Sequence, residues 1–213
     1  MKRLIATTAL GTMALAGAAQ AATEAMATTD LNLRAGPGPN YEVVDVIANE
    51  GMVMIDGCVA ESNWCKVSYD GNEGWAYGSY LTASAEGNSM VVVENRDALT
   101  VNTVTAEEVT AAGAGATIGA LAGSLVFGPV GTAAAAIVAG AATEAQVPEE
   151  TVTYVQSNSV EPVYLDGEVV VGAGVPVEVE TYTIPDSEYA YVNVNGVPSI
   201  IEPNSRQIVY IVR

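Results

Sequence analysis

The chain has 213 residues, carries 25 acidic against seven basic residues, and contains no histidine, which gives a formal net charge of −18. Such an acidic chain repels phosphate backbones and anionic lipid head groups, so we exclude nucleic acid as a partner. The absence of histidine excludes Ser-His-Asp and Cys-His catalysis and histidine-ligated metal sites.

The amino terminus has the three parts of a secretory signal peptide. Lys2 and Arg3 form a positive start, residues 4–17 are apolar, and residues 19–21 (Ala-Gln-Ala) form a small-x-small cleavage site. The apolar run is too short and too rich in alanine, glycine and threonine to span a membrane well. We therefore predict that residues 1–21 are removed and that the mature chain is exported to the periplasm or cell envelope of a Gram-negative bacterium.

Residues 27–83 have the pattern of a small all-β domain. Short runs rich in valine, isoleucine, tyrosine and tryptophan alternate with glycine, proline, asparagine and aspartate. In "DLNLRAGPGPNYEVVDVI" the first strand places Leu31 and Leu33 on one face. Asp70-Gly71 predicts a hairpin turn, and the stretch "DGNEG" that contains it lacks the ligand spacing of a calcium loop.

These residues resemble the bacterial SH3 (SH3b) family. The family segment L-N-V-R-x-G-P-x-x-x-Y-x-V is matched by Leu31, Asn32, Leu33, Arg34, Gly36, Pro37, Tyr41 and Val43. The segments W-x-K-V and G-W-V-x-x-x-Y-L are matched by Trp64, Lys66, Val67, Gly74, Trp75, Tyr80 and Leu81. The resemblance implies a small, partly open β-barrel that binds cell-wall peptides or targets envelope enzymes.

Aromatic residues of this domain are the candidates for a shallow peptide-binding groove. They are Tyr41, Trp64, Trp75, Tyr77 and Tyr80. The alternative is that Trp64, Trp75 and Tyr80 pack in the core and rim of a small barrel, because aromatic side chains bury large apolar areas. The sequence leaves both interpretations open.

Residues 84–110 connect this domain to the next segment and contain "SMVVVENRDALTVNTVT". One interpretation is a strand pair that joins a C-terminal sheet. The other is a short strand followed by a helix that leads into the next segment.

Residues 111–145 form an Ala/Gly-rich segment, with no charged residue between Glu108 and Glu144. Glycines recur at every fourth position and would form one stripe on a helix: Gly115, Gly119 and Gly123. Gly128-Pro129 interrupts the run. The segment resembles the glycine-zipper helical hairpins of Gram-negative envelope proteins, which implies self-association or membrane association. The alternative is a flexible linker.

Residues 151–213 contain β-patterned segments, the first of which is "TVTYVQSN". In "EYAYVNVNG" the polar face carries Tyr189, Tyr191, Asn193 and Asn195, opposite Ala190, Val192 and Val194, which predicts a half-buried strand. Hairpin turns are predicted at Asp166-Gly167 and Asn195-Gly196. This region resembles the family known as domain of unknown function 1236. The matching residues are Val175-Pro176, Tyr182-Thr183-Ile184-Pro185, Tyr191-Val192-Asn193-Val194-Asn195-Gly196, Glu202-Pro203, Arg206 and Ile208-Val209-Tyr210. The resemblance implies a small β-rich envelope domain, and we interpret Arg206 as a paired structural charge.

Cys58 and Cys65 are the only cysteines in the chain. A zinc site needs two further ligands, and the chain offers neither histidine nor a third cysteine. A catalytic dithiol usually has the C-x-x-C spacing, whereas these residues bracket the turn-like "VAESNW". In an oxidising compartment such a pair forms a disulfide, so we predict a bridge that closes a hairpin.

The sequence as a whole predicts a mainly β, non-enzymatic envelope protein without a cofactor or metal. Its predicted partner is a cell-wall peptide, such as a peptidoglycan stem, or an envelope protein. The alternative is a structural protein that assembles into homo-oligomers through residues 111–145. Carboxylates are abundant, but nothing in their spacing predicts the paired acid and base of a hydrolase.

Overall fold

The computed structural model describes residues 22–85, 87–104, 126–127 and 145–213. In these ranges the chain is mainly β-strand, as the turn pattern predicts, and it also contains one α-helix. The predicted signal peptide and the stripe of Gly115, Gly119 and Gly123 lie outside the described residues. No helix within those ranges is long and apolar enough to cross a bilayer.

The N-terminal part forms a nine-stranded sheet. Its strands are β1 (Thr23–Ala27), β2 (Leu31–Arg34), β3 (Val43–Ile47), β4 (Met52–Val59), β5 (Trp64–Tyr69), β6 (Asn72–Tyr77), β7 (Leu81–Ala85), β8 (Asn88–Val91) and β9 (Thr103–Val104). The hydrogen-bonded order is β3-β2-β6-β5-β4-β1-β7-β8, and β9 pairs in parallel with β4. Short 3₁₀ turns cover Gly78–Tyr80 and Val92–Glu94. Because β3 and β8 end this order, the sheet is open over the described residues and is not a closed barrel.

Local sequence signals position the strands of this sheet. Leu31 and Leu33 are fully buried on β2, as the alternation predicts. Asp70 and Gly71 have positive φ angles of 47° and 86° and form the predicted hairpin turn between β5 and β6. Positive φ at both central residues produces the tight turn whose twist matches the flanking strands.

Cys58 on β4 and Cys65 on β5 lie directly opposite each other and form a disulfide, which confirms the predicted bridge. Both residues are fully buried. The bridge closes the base of the hairpin that connects the two strands, and it leaves no free cysteine in the chain.

The connecting segment contributes two strands, and both join the N-terminal sheet and not the C-terminal one. β8 pairs with β7, and β9 pairs in parallel with β4. Arg96 fixes the intervening turn because its guanidinium donates to the carbonyls of Val59 at 2.9 Å and Ser62 at 2.7 Å. Leu99 and Val101 then enter the core, so burial holds the segment against the first sheet.

The C-terminal part combines one helix with short strands. Its elements are α1 (Glu149–Ser157), β11 (Ala173–Gly174), β12 (Tyr182–Thr183), β13 (Ala190–Val194), β14 (Val197–Ile201) and β15 (Ile208–Ile211), and β10 (Val126–Phe127) precedes them. Strands β12 to β15 form an antiparallel sheet in sequence order, and β10 pairs with β11.

The predicted strand "TVTYVQSN" is wrong, because these residues lie in helix α1. Valine and threonine favour strands, but that preference depends strongly on context. Glu149 and Glu150 occupy the first turn, where the helix dipole favours negative charge. Thr151 and Val155 are buried four residues apart, which is a helical spacing.

The hairpin predicted at Asp166-Gly167 is also wrong, whereas the one at Asn195-Gly196 is confirmed. Asn195 and Gly196 have φ angles of 55° and 77° between β13 and β14. Residues 163–170 contain no strand, and Val163 makes only an isolated bridge to Val194. This segment does not pair as a hairpin and instead buries the side chain of Glu168 in the protein.

One hydrophobic core runs through both parts of the chain. Leu31, Leu33 and Trp64 of the first sheet belong to the same buried cluster as Leu165, Val169, Val192 and Ile201. A smaller cluster on the other face of the C-terminal sheet joins Tyr191 and Ile200 to Val155 of α1. The predicted alternation of β13 is therefore present, but both of its faces are covered, one by the N-terminal part and one by the helix.

The disulfide should stabilise the fold measurably. Replacing both cysteines by alanine should lower the free energy of unfolding by about 2.5 kcal/mol, because the bridge restricts a loop of about eight residues in the unfolded chain. Urea unfolding followed by tryptophan fluorescence measures this difference. Wild-type protein treated with a reductant is the matched control and should unfold like the double variant. Equal unfolding midpoints with and without the bridge would contradict the stabilising role.

Candidate functional site

A buried ion pair joins the two parts of the chain. Arg34, at the end of β2, and Glu168, between α1 and β11, are 134 residues apart and have side chains that are 1% and 0% exposed. The guanidinium binds the carboxylate through two hydrogen bonds, one from Nε to Oε2 and one from Nη2 to Oε1 at 2.6 Å. A two-point contact of this kind fixes both the distance and the relative orientation of the two groups.

Two further hydrogen bonds reach one oxygen of the Glu168 carboxylate. Asn32 Nδ2 donates to Oε1 at 3.0 Å, and the backbone N–H of Val169 donates to the same oxygen at 2.7 Å. Asn32 and Arg34 alternate with Leu31 and Leu33 on β2, so one face of the strand is apolar and the other is polar. Both faces are buried, because the C-terminal part covers the polar one.

Asn195, in the turn between β13 and β14, supports the junction from the C-terminal side. Its carbonyl accepts a hydrogen bond from Arg34 Nη1 at 3.3 Å. Its side chain accepts from the backbone N–H of Leu165 at 2.8 Å and donates to the carbonyl of Gly167 at 3.1 Å. The turn that the sequence predicts therefore holds the loop that presents Glu168.

Arg34 also orients a surface loop, residues 35–42, which we name the Tyr41 loop. Nη1 donates to the carbonyl of Pro39 at 3.0 Å and to the carbonyl of Tyr41 at 2.7 Å. The Tyr41 ring lies against Gly36, where an added Cβ would stand 2.3 Å from the ring. A side chain at this position would displace the ring, which explains the need for glycine in this loop.

Of the predicted groove residues, Tyr41 is half-buried, and the other four are buried. Trp64, Trp75, Tyr77 and Tyr80 are 2%, 8%, 3% and 6% exposed. Of the two interpretations, the structure agrees with core packing for Trp64, Trp75 and Tyr80, and Tyr77 is buried with them. Trp64 and Tyr77 pack edge to face with ring centroids 5.4 Å apart, and Tyr80 lies 6.2 Å from Tyr77.

The C-terminal part lies close to these aromatic rings. Burial raises the pKa of the Tyr80 hydroxyl well above its usual value, and the charges of Tyr77 and Glu168 raise it further. Burial also raises the pKa of Tyr77, and Asp166 and Glu168 add to the rise. Leu165 and Val169, which flank both carboxylates, belong to the same buried cluster as Tyr77 and Tyr80.

A separate pocket of about 230 Å³ lies between α1 and the C-terminal sheet. Val155, Tyr191, Pro198 and Val212 are among its mainly apolar lining. The Tyr191 hydroxyl donates to the carbonyl of Asn158 at 3.0 Å. That bond fastens the end of the helix to the sheet, so we assign the polar group of this pocket a structural role.

Arg206 is structural, but its partners differ from the expected carboxylate. Its guanidinium donates to the backbone carbonyls of Val175 at 3.0 Å, Pro176 at 2.8 Å and Val179 at 2.7 Å. It thereby holds the loop that leads from β11 to β12. Glu202 of the same turn accepts hydrogen bonds from Asn204 and Ser205 instead.

Two family models match the chain. Residues 29–82 match the bacterial SH3 domain, and residues 154–213 match a domain of unknown function, DUF1236. A comparison with curated proteins found no significant match. The chain thus contains a bacterial SH3 domain and a DUF1236 domain, as the sequence motifs indicate. Arg34 belongs to the first domain and Glu168 to the second, so the buried ion pair links the two.

Removing the Glu168 carboxylate should unfold the junction. The Glu168→Ala variant leaves Arg34 buried without its counter-charge, and we expect a loss of about 3–5 kcal/mol in the free energy of unfolding. Urea denaturation followed by the fluorescence of Trp64 and Trp75 measures this loss. Glu178→Ala removes an exposed carboxylate from the same domain and should change the free energy by less than about 0.5 kcal/mol.

A double variant separates the effect of losing the ion pair from the effect of leaving Arg34 buried without its counter-charge. Arg34→Met combined with Glu168→Leu replaces the two charges with apolar groups of similar size and should be more stable than Glu168→Ala, because no unpaired charge remains buried. It should stay less stable than the wild type, because the Asn32 amide and the Pro39 and Tyr41 carbonyls lose their partners. Equal stability of Glu168→Ala and Glu178→Ala would contradict the role of the ion pair.

The turn at Glu202 should titrate at unusually low pH. Hydrogen bonds from Ser205 and Asn204 lower the pKa of the Glu202 carboxyl from 4.5 to about 2. A lowered pKa in the folded state stabilises the fold above pH 4.5, and this contribution is lost as the pH falls towards 2. Carboxyl ¹³C shifts measured against pH should show the low midpoint, and Ser205→Ala should move it towards 4.5. A wild-type midpoint near 4.5 would contradict the assignment.

Proposed function

We propose that this chain is a non-enzymatic binding protein of the bacterial cell envelope, in which the SH3 domain recognises cell-wall peptides such as peptidoglycan stems. The match of residues 29–82 to the bacterial SH3 domain carries the proposal. Bacterial SH3 domains serve as binding modules of the envelope.

The chemistry of the buried carboxylate supports a non-enzymatic role. A catalytic carboxylate needs access to substrate and a proton to exchange. Glu168 is fully buried, and Arg34, Asn32 and the N–H of Val169 occupy its oxygens. The chain also has no histidine to act as a base at neutral pH.

The disulfide supports export of the mature chain. Disulfides form and persist in oxidising compartments and are rare in the cytosol. Cys58 and Cys65 are bonded and buried, which agrees with the secretory signal that residues 1–21 predict. These two features together support a periplasmic or cell-envelope location.

The Tyr41 loop is the surface that we assign to the ligand. The other four predicted aromatic residues are buried, whereas Tyr41 is half-buried on a loop of the SH3 domain. Val44, three residues further along, is 50% exposed and adds apolar surface beside the loop. An aromatic ring held against glycine on a fixed backbone suits stacking on an extended peptide, because little conformational entropy is lost on binding.

The proposed site depends on both domains. Arg34 holds the carbonyls of Pro39 and Tyr41, and Glu168 fixes the orientation of Arg34. A shortened chain that ends with the SH3 domain would lose this support and expose the aromatic core. Binding experiments therefore need the complete mature chain.

A sedimentation assay on purified peptidoglycan sacculi tests the proposal. The mature chain should sediment with sacculi, and Tyr41→Ala should reduce the bound fraction at least fivefold, because the variant removes the ring and leaves the Arg34 contacts to backbone. Tyr189→Ala is the matched control, since it removes a half-buried tyrosine from the DUF1236 domain. The acidic chain and the anionic wall repel each other at long range, so added salt should not weaken the binding.

Retention of the mature chain no greater than that of an equally acidic control protein would contradict peptidoglycan binding. Equal retention of wild type and Tyr41→Ala would move the site away from the Tyr41 loop. Sedimentation that disappears after the sacculi are treated with protease would indicate an envelope protein, and not the wall peptide, as the partner.

A further inference from the structure

The outer face of the first sheet carries three neighbouring methionines. Met26 on β1 lies directly opposite Met52 on β4, and Met54 follows two residues later on the same face. The three side chains are 37%, 51% and 41% exposed, whereas Ala25, Val53 and Ile55 between and beside them are buried. The strand alternation therefore presents three thioethers to solvent in one patch, which we name the methionine face.

The sheet register brings these thioethers within reach of one another. Directly opposite residues on antiparallel strands have Cβ atoms about 5 Å apart, and diagonal neighbours are about 7–8 Å apart. Met26 is opposite Met52 and diagonal to Met54. Methionine is unbranched and has three rotatable bonds, so three sulfur atoms can converge on one point above the sheet without backbone movement.

Three converging thioethers are suited to a soft monovalent cation. Thioether sulfur is a soft ligand that selects Cu(I) among the biological transition metals, whereas zinc, calcium and magnesium prefer nitrogen, oxygen or thiolate. Glu24 lies opposite Met54 on the same face, and its exposed carboxylate favours a cation in this position. We propose that the methionine face is a Cu(I)-binding site.

The rest of the sequence offers little competition for this ion. The chain has no histidine, and both of its cysteines are bonded to each other. Of its six methionines, Met1 and Met13 fall in the predicted signal peptide, and Met90 is a partly buried residue packed against the core. Any Cu(I) bound by the mature chain through soft ligands must therefore use methionine, and three of the four that remain form the methionine face.

Competition with bicinchoninate, a coloured Cu(I) chelator, tests the proposal on the mature chain under anaerobic conditions. Ascorbate keeps the copper reduced and leaves the disulfide intact. We expect the wild type to remove one equivalent of Cu(I) from the chelator. The triple variant Met26→Leu, Met52→Leu and Met54→Leu should bind at least tenfold more weakly, and it should keep the fold because leucine and methionine have similar volumes.

Met90→Leu is the matched control and should bind Cu(I) like the wild type. Methyl resonances of Met26, Met52 and Met54 should shift on titration with Cu(I), while that of Met90 should not. No transfer of Cu(I) from the chelator to the wild type would overturn the proposal. Equal binding by the wild type and a folded triple variant would overturn it as well, because the ion would then lie elsewhere.

Discussion

The structure depends on one constraint, which is that a carboxylate inside a protein core must be compensated where it lies. Glu168 is fully buried, and the guanidinium of Arg34 supplies the opposite charge at two contact points. The cost of desolvating both groups is several kcal/mol each, and it is offset only when the geometry and the remaining hydrogen bonds are nearly complete. Asn32 and the N–H of Val169 complete them. The pair can therefore form in only one arrangement of the SH3 and DUF1236 domains.

That arrangement explains the burial of the SH3 aromatic residues. Once Arg34 and Glu168 meet, the loop that carries Asp166 and Glu168 lies beside Tyr77 and Tyr80, and the valines that follow Glu168 enter the common core. Four of the aromatic residues considered for a ligand groove are thus buried in a core that both domains share. The small SH3 domain gains apolar burial that a domain of its size lacks on its own.

Signals that act over a few residues could be predicted from the sequence, and contacts between distant residues could not. Asp70-Gly71 and Asn195-Gly196 form turns because of their own φ angles. The disulfide could be predicted from the signal-like amino terminus and from the turn-like residues between the two cysteines. The hairpin predicted within residues 163–170 was wrong because the local signal, an Asp-Gly pair between valine-containing runs, is the same one that marks real hairpins. A lone glutamate next to three valines was a sign of a buried charge, but its partner is 134 residues away and nothing local identifies it. The strand predicted around Thr151 and Val155 was wrong for a related reason. Packing of these residues against a sheet overrode their strand preference.

Arg34 connects domain docking with the proposed binding surface. The same guanidinium that binds Glu168 also holds the carbonyls of Pro39 and Tyr41, so the Tyr41 loop and the domain junction share one side chain. A ligand that stabilises this loop conformation must also stabilise the Arg34–Glu168 pair, because coupling between two sites is reciprocal in free energy. Conversely, any change that loosens the DUF1236 domain releases the loop. In the proposed binding mode, the C-terminal domain would therefore contribute to recognition by fixing Arg34, which holds the Tyr41 loop.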